Sequence, residues 1–213
     1  MSHDPKGKWA LVTGSSRGIG VEVARALSQL GCNLVLHSRQ RSGTEQLARE
    51  LAERVRVVSL AAELSDQSQV DRLAQQALEA SGGIDILYNN AAIMTPYRKD
   101  IATVSADDYR RSFEVNAIAP IRLTFALLPA MLSRKFGRIV QVTSGIKNEP
   151  ELMAYAASKA ALDKFVLDMA SRLRGTGVTM NLLDPGWLRT DLGGPNAPNP
   201  VASVLPGALV PAL

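Results

Sequence analysis

The chain has 213 residues, of which 46% are hydrophobic and 21% charged, and its formal net charge is +4. This composition is typical of one globular domain and excludes an intrinsically disordered chain. The single cysteine, Cys32, cannot form an internal disulfide, and the two histidines, His3 and His37, are too few for a histidine metal cluster. We therefore expect neither a disulfide scaffold nor a metal site.

The sequence contains no apparent signal peptide or membrane span. Residues 1–8 are polar, the following apolar run Trp9–Val12 is too short to cross a bilayer, and five prolines interrupt the uncharged stretch Leu192–Leu213. Lysines and arginines are scattered without a basic run, which indicates dispersed surface charge rather than a nucleic-acid site. We expect a cytoplasmic protein that binds neither membranes nor nucleic acid.

Short apolar runs alternate with amphipathic stretches along most of the chain, and no linker divides it. The predicted strands are Trp9–Thr13, Asn33–Ser38, Val55–Ser59, Ile84–Asn89, Arg138–Thr143 and Val178–Leu183. The predicted helices are Gly18–Leu30, Thr44–Arg54, Asp66–Ala80, Ala106–Arg134 and Leu152–Arg174. Several of the strands are apolar throughout, as expected when helices cover both faces of a parallel sheet. The order predicts a single α/β domain built on a doubly wound parallel sheet with helices on both faces.

Individual residues refine the helix ends. Gly31 is expected to end the first helix, and Ser65 is expected as the N-cap of the third. Pro120 should kink or loosen the long fourth helix because proline has no amide hydrogen to donate.

The composition changes after Asp184. Six of the eleven prolines lie between Pro185 and Pro211, and no charged residue follows Asp191. We expect residues 185–213 to form a loop-rich cover on the substrate side of the domain. The alternative is a flexible terminal tail.

A glycine-rich turn follows the first predicted strand. The segment Thr13–Gly20 reads TGSSRGIG and leads directly into the first predicted helix. Such glycines allow a close approach of the backbone to a pyrophosphate, and a helix N-terminus offers free amides and a partial positive charge. A turn that merely closes a βα unit is the alternative. The candidate dinucleotide-binding residues here are Gly14, Ser16, Arg17, Gly18, Ile19 and Gly20.

The end of the second predicted strand bears on which dinucleotide binds. It reads His37-Ser38-Arg39, and no acidic residue appears before Glu45. A carboxylate at this position accepts from the ribose 2′-hydroxyl of NAD, whereas an arginine accommodates the 2′-phosphate of NADP. Ser38 can donate to a phosphate oxygen and Arg39 can pair with it. The sequence predicts NADP(H); an arginine that is merely solvated is the alternative.

Tyr155 and Lys159 lie one helical turn apart and therefore share a helix face. A phenol has an ordinary pKa of about 10 and needs a nearby cation to act as an acid or base at neutral pH. Lys159 can supply that cation. Ser144, after the fifth predicted strand, could hold a substrate oxygen, and Asn116 could relay protons to Lys159 through water. A core tyrosine with a satisfied hydroxyl is the alternative for Tyr155.

Taken together, these segments resemble the classical short-chain dehydrogenase/reductase family over essentially the whole chain. The matching motifs, in the family's order, are Thr13-Gly14-x-x-x-Gly18-x-Gly20, Asn89-Asn90-Ala91-Ala92, Asn116, Ser144, Tyr155-x-x-x-Lys159 and Pro185-Gly186-Trp187-Leu188-Arg189-Thr190. The resemblance implies a Rossmann-type fold and an NADP(H)-dependent oxidoreductase that interconverts a carbonyl and an alcohol. It also implies a homodimer or homotetramer with contacts through the helices Ala106–Arg134 and Leu152–Arg174.

The resemblance further implies roles for single residues. Tyr155 is the implied proton donor to a carbonyl oxygen, and Ser144 is implied to orient that oxygen. Lys159 is implied to bind the nicotinamide ribose and to lower the pKa of Tyr155, and Asn116 to hold a relay water. Other residues implied to contact the cofactor are Glu63, Leu64, Asn90, Ala91, Pro185, Gly186 and Thr190.

The chain departs from the family pattern at four places. Ala92 replaces a usual glycine, and Glu63 replaces a usual aspartate. The loop Gly145–Ala154 is shorter than the family's common spacing, and the chain ends at Leu213, before the family's usual final helix and strand. We expect a reshaped substrate pocket and a natural C-terminal extension.

Substrates are expected to be small ketones, aldehydes or 3-oxoacyl compounds. The alternative function is a dinucleotide-binding regulator or redox sensor that keeps the fold without turnover. The missing C-terminal portion and the altered loop favour that alternative, whereas the complete set Asn116, Ser144, Tyr155 and Lys159 favours the enzyme.

Overall fold

The computed structural model describes residues 4–213, which contain a six-stranded parallel sheet and helices on both its faces. The strands are β1 (Trp9–Val12), β2 (Asn33–Ser38), β3 (Val57–Ala61), β4 (Ile86–Asn89), β5 (Gly137–Val142) and β6 (Val178–Leu183). They lie in the order β3-β2-β1-β4-β5-β6. This is the doubly wound α/β architecture that the sequence predicts, and that prediction is confirmed.

Helices connect these strands. They are α1 (Ile19–Gln29), α2 (Ser42–Leu51), α3 (Gln67–Ser81), α4 (Ala106–Phe113), α5 (Ala119–Ser133) and α6 (Met153–Arg172). The two-residue strands β7 (Leu188–Arg189) and β8 (Asn199–Pro200) pair in a second small sheet.

The sheet separates two hydrophobic cores. Residues of α3, α5 and α6 pack on one face, around Leu73, Leu127 and Val166. Residues of α1 and α2 pack on the other face, around Leu27 and Leu51. Because both faces are covered, β1, β4 and β5 are buried at every position. This explains the apolar sequences of β1 and of Ile86–Tyr88 in β4, whereas β5 also buries Arg138 and Gln141.

Several predicted boundaries differ from the structure by one to three residues, including the start of β4 at Ile86 rather than Ile84, and two of the differences have a clear physical reason. Strand β3 begins at Val57 rather than Val55, because the Val55 amide still donates to the Leu51 carbonyl and closes α2. The N-cap of α3 is Asp66 rather than Ser65, since the Asp66 carboxylate accepts from the Ser68 amide at 2.9 Å and the Gln69 amide at 3.3 Å.

Two other local predictions are confirmed. Gly31 adopts a left-handed φ of +76° directly after α1. The long fourth helix is loosened just before Pro120, where Glu114–Ile118 forms a π-helical turn. Proline has no amide to donate to the carbonyl four residues earlier, Asn116, so the regular α-helical pattern cannot pass through this point.

One stretch is apolar enough to cross a membrane by length and composition alone, Ala106–Ser133, which joins α4, the π-helical turn and α5. Of its most apolar window, 56% is buried inside the protein. The core helix of a globular protein meets the same description, and α5 contributes Leu123, Leu127 and Met131 to the core.

The end of the chain is folded against the body of the domain. Residues 201–204 and 207–212 form 3₁₀ turns. Val204, Ala208 and Ala212 are buried in the same core as α1, and the Tyr88 hydroxyl of β4 donates to the Ala208 carbonyl at 2.7 Å. This segment therefore packs against α1 and the sheet, and is not the flexible tail that the sequence left as an alternative.

Candidate active site

The candidate site lies at the carboxyl ends of the strands. In the order β3-β2-β1-β4-β5-β6 the chain reverses direction across the sheet between β1 and β4. Loops diverge on either side of such a switch point and leave a crevice there, which is where doubly wound proteins bind ligands. The turn after β1, the loop after β4 and the residues after β5 all meet at this crevice.

The turn Thr13–Gly20 is shaped for close backbone contact. A Cβ on Gly20 would lie 2.4 Å from the Gly14 carbonyl oxygen, and one on Gly14 would lie 2.8 Å from the Ala91 Cα. Only glycine fits at either position. Gly18 occupies the N-cap of α1 without a side-chain hydrogen bond to the first-turn amides. The Val21 amide donates to the Gly18 carbonyl at 3.1 Å, whereas the Ile19 and Gly20 amides make no hydrogen bond within residues 4–213. These two amides are available to an anion, so the residues present fit a dinucleotide pyrophosphate.

A second layer of residues holds this turn in place. His37 is buried; its Nδ1 accepts from the Gly14 amide at 3.2 Å, and its Nε2 lies 3.0 Å from the Ala62 carbonyl. Burial lowers the pKa of His37, so the ring is neutral and acts as a fixed bridge. Asn90 donates from its side chain to the carbonyls of Thr13 and Gly14. Asn90, a predicted cofactor residue, thus uses its amide to join β4 to the turn.

The predicted 2′-phosphate region lies at the end of β2. The Ser38 hydroxyl donates to the Gln40 carbonyl at 2.6 Å, and a Cβ on Gly43 would lie 3.0 Å from that hydroxyl and 3.4 Å from the Ser16 Cβ. Within residues 4–213 the Arg39 side chain makes no ion pair or hydrogen bond and is exposed. The structure thus brings Ser16 and Ser38 close to Gly43, and Arg39 follows Ser38 with an exposed side chain.

Glu63 and Leu64, both predicted to contact the cofactor, have different surroundings in the structure. The Glu63 carboxylate accepts from the Ser65 amide at 3.1 Å, so one of its oxygens closes a local turn. Leu64 is 5% exposed and belongs to the core. The Leu64 side chain is therefore a packing group.

Tyr155, Ser144 and Lys159 come together at the end of β5. Tyr155 is 5% exposed, and the Ser144 side chain lies near enough to its phenol to favour the ionised form. The Lys159 Nζ lies 6.0 Å from the centre of the Tyr155 ring and donates to the Val142 carbonyl at 2.6 Å. Helix α6 thus presents both residues to the end of β5, as their four-residue spacing predicts.

Burial changes the acid–base behaviour of both groups. It raises the pKa of the Tyr155 phenol; the nearby Ser144 side chain opposes that shift, and the negative charge of Asp184 adds to it. Burial lowers the pKa of the Lys159 ammonium to about 8, and the charge of Asp163 opposes that shift. The protein alone therefore keeps Tyr155 protonated at neutral pH, and the balance at Lys159 depends on Asp163.

Asn116 lies in the π-helical turn and is fully buried. Its Oδ1 accepts from the Ile93 amide, and its Nδ2 donates to the Ile93 carbonyl and the Ser158 hydroxyl, at 2.9 to 3.0 Å. The side-chain amide thus ties the loop after β4 to α6. The role of Asn116 in holding a relay water stays a prediction.

The loop after β6 lies over the glycine-rich turn. Gly186 has a φ of +71°, and the Thr190 side chain lies 3.4 Å from where a Cβ on Gly18 would be. Arg17 and Asp191 form an ion pair at 2.7 Å between the two segments, although both side chains are exposed. Pro185, Gly186 and Thr190 are therefore on the same side of the crevice as the turn.

Sequence reasoning missed three polar residues next to these groups. Thr143, the residue before Ser144, donates a hydrogen bond from its hydroxyl to the Asp163 carboxylate. Asp184 follows β6, and its Oδ2 lies 2.5 Å from where a Cβ on Gly145 would be. Asp163 could have been found from its spacing, since it lies one further turn along α6 from Lys159. Asp184 carries no comparable signal.

The chain matches known proteins along most of its length. The sequence model of the family described as short chain dehydrogenase matches residues 8–200. A ketoacyl reductase, HetN, of Nostoc sp. is 37% identical over 85% of this chain, and the chain spans 64% of that relative's length. Among solved structures, a metagenomic short-chain oxidoreductase in complex with NADP has a TM-score of 0.84 and 31% identity, with 99% of this chain and 93% of that chain covered. An NAD⁺-bound xylitol dehydrogenase has a TM-score of 0.82 and 26% identity, with 88% and 73% covered.

Proposed function

The chain belongs to the short-chain dehydrogenase family, and on that premise we propose that it is an NADP(H)-dependent oxidoreductase interconverting a small carbonyl compound and its alcohol. The observation that carries the proposal is the buried Tyr155 phenol, which lies near Ser144 and Lys159 in a domain whose glycine-rich turn fits a dinucleotide. A core tyrosine would not need a serine and a buried lysine beside it.

The roles of the residues follow from their protonation and position. A bound nicotinamide dinucleotide would supply the hydride donor or acceptor. In the reducing direction Tyr155 donates its proton to the carbonyl oxygen, and Ser144 donates a hydrogen bond that orients this oxygen. Lys159 favours the phenolate that remains, because an opposite charge stabilises the ionised form. In the oxidising direction the same phenolate accepts the alcohol proton.

The choice of NADP(H) rests on charge at the end of β2. Arg39 is exposed there, has no partner among residues 4–213, and lies next to Ser38. A guanidinium pairs well with a phosphate dianion, whereas a carboxylate that would accept from the ribose of NAD is lacking before Glu45. One related structure contains NADP and another contains NAD⁺, so the local charge is the stronger support.

Assembly and location complete the proposal. We propose a cytoplasmic homodimer or homotetramer in which α5 and α6 contribute to the contact. Phe125 on α5 is 51% exposed and packs edge-on against Phe165 of α6, and Leu167 is 65% exposed. Exposed apolar side chains close together on two helices are typical of protein–protein interfaces. We propose that the protein binds neither nucleic acid nor membranes.

The test is oxidation of NADPH, and separately of NADH, with a panel of aldehydes, ketones and acyl thioesters. We expect turnover with NADPH preferred, and a loss of about 10²–10⁴-fold in kcat for Tyr155→Phe, the usual contribution of a positioned acid. NADPH fluorescence should show that the variant still binds cofactor. Retained activity in Tyr155→Phe would refute the proton-donor role. Tight binding without turnover would favour the regulator that the sequence left as the alternative.

A further inference from the structure

Asp184 lies on the substrate side of the candidate site. It follows Leu183, the last residue of β6, which is paired in register with Val142 of β5. Its Oδ2 lies over Gly145, the residue after Ser144, so close that a Cβ on Gly145 would be 2.5 Å away. The carboxylate is thus held next to the residue that orients the substrate oxygen in the proposed reaction.

Only part of this carboxylate is used by the protein. Oδ1 accepts from the Gly186 amide at 2.9 Å, and this bond closes a turn just before Trp187. Within residues 4–213, Oδ2 accepts no hydrogen bond and Asp184 has no ion-pair partner. Asp184 is exposed, and its charge acts on the Tyr155 phenol. A carbonyl held by Tyr155 and Ser144 is within range of the same charge.

The other charged groups nearby do not neutralise it. Lys147 and Glu149, in the loop before α6, are both exposed and have opposite charges. Lys159 is buried and donates to the Val142 carbonyl, and Asp163 is bonded to Thr143 on the far side of Lys159. Asp184 therefore adds a negative charge close to the reacting atoms.

We propose that Asp184 is a specificity-determining residue that makes the site select neutral or cationic carbonyl substrates over those with a carboxylate next to the carbonyl. The proposal rests on the function proposed above and specifies its substrate class. Like charges at short range in a partly desolvated site repel strongly, so a substrate carboxylate is disfavoured by about tenfold or more in kcat/KM. Neutral ketones, aldehydes and esters avoid this repulsion.

The experiment compares a 2-oxo acid with its methyl ester, because both present the same carbonyl for reduction. We expect the wild-type protein to favour the ester. Asp184→Asn keeps an oxygen that can accept from the Gly186 amide while removing the charge, and it should reduce the ester-to-acid ratio of kcat/KM by about tenfold. Glu149→Gln removes the same charge from the exposed loop and should change that ratio less than twofold.

The outcomes separate the alternatives. If Asp184→Asn leaves the ratio unchanged while the wild type reduces the ester, the specificity proposal is wrong and the proposed function stands. If only Asp184→Ala changes the ratio, the turn geometry rather than the charge is responsible, which also overturns the proposal. If the wild type reduces neither the ester nor any other neutral carbonyl, the proposed function itself fails, and the specificity proposal fails with it.

Discussion

Lys159 shows how the environment of a single residue sets its chemistry. The side chain is 2% exposed, and burial lowers the pKa of its ammonium group to about 8. An amine with that pKa would be only partly charged just above neutral pH. Asp163 opposes the shift from one helical turn away and also bonds to the Thr143 hydroxyl. Lys159 and Asp163 therefore bond to two successive residues directly before Ser144: Val142, the last residue of β5, and Thr143, which follows it.

We expect Asp163→Asn to lower the pKa of Lys159. The protonated lysine is the form that stabilises the phenolate, so activity should be lost as pH rises through this pKa. Without the opposing charge of Asp163, the alkaline limb of the kcat profile should move to lower pH, by about one unit or more. Steady-state kinetics between about pH 6 and about pH 10 would measure this shift of the alkaline limb.

Thr143→Val is the matched control for this prediction. It removes the hydroxyl that bonds to Asp163 but leaves the carboxylate in place. We expect it to lower kcat through the position of Ser144 without moving the alkaline limb downward. An alkaline limb that stays fixed in Asp163→Asn would show that Asp163 only holds β5 against α6.

At the scale of elements, the glycine-rich turn and the end of β2 form one cofactor-binding unit. His37 of β2 bridges to the Gly14 amide, and Ser15 bonds back to the His37 backbone, so the two strands fix each other's ends. Ser16 of the turn and Ser38 of β2 then lie on either side of Gly43. The geometry of the phosphate region is therefore set before any ligand binds.

Replacing Ser38 by Ala together with Arg39 by Asp should reverse the cofactor preference. The change removes the cation expected to pair with the 2′-phosphate and introduces a carboxylate that repels it and can accept from a ribose hydroxyl. We expect the ratio of kcat/KM for NADPH to that for NADH to fall by at least about tenfold, the effect of about 1.4 kcal/mol. Arg41→Asp, which changes the same charge two residues further on, serves as the control. An unchanged ratio in the double variant would show that Arg39 does not contact the phosphate.

Most of the fold could be predicted because the apolar runs of β1 and β4 and the glycines of the turn report directly on burial and backbone geometry. The positions of Tyr155 and Lys159 followed from helical spacing in the same way. The N-cap of α3 was missed because Ser65 and Asp66 are both good capping residues, and only the hydrogen bonds decide between them. The contacts of the Asn116 side chain could not be predicted because its partners, Ile93 and Ser158, are distant in sequence.

At the scale of the whole molecule, the last residues of the chain complete one of the two cores. Leu188, Val204 and Ala208 pack on the same face of the sheet as α1. The sequence predicted a loop-rich cover on the substrate side for the segment that contains them. Once buried, the amides and carbonyls of this segment must form hydrogen bonds. Tyr88 supplies one such bond from the sheet, since its side chain is fully buried and its hydroxyl donates to the Ala208 carbonyl.

Tyr88→Phe tests whether this segment is part of the cooperative fold. The variant keeps the ring but removes the hydrogen bond to Ala208, leaving a buried carbonyl without its donor. We expect the free energy of unfolding to fall by about 1–2 kcal/mol, with an unchanged m-value in urea. Tyr109→Phe is the control, because the Tyr109 hydroxyl makes no hydrogen bond within residues 4–213, and its unfolding midpoint should stay that of the wild type. If Tyr88→Phe is as stable as the wild type, residues 201–213 separate from the sheet before the domain unfolds, and the rest of the fold does not depend on them.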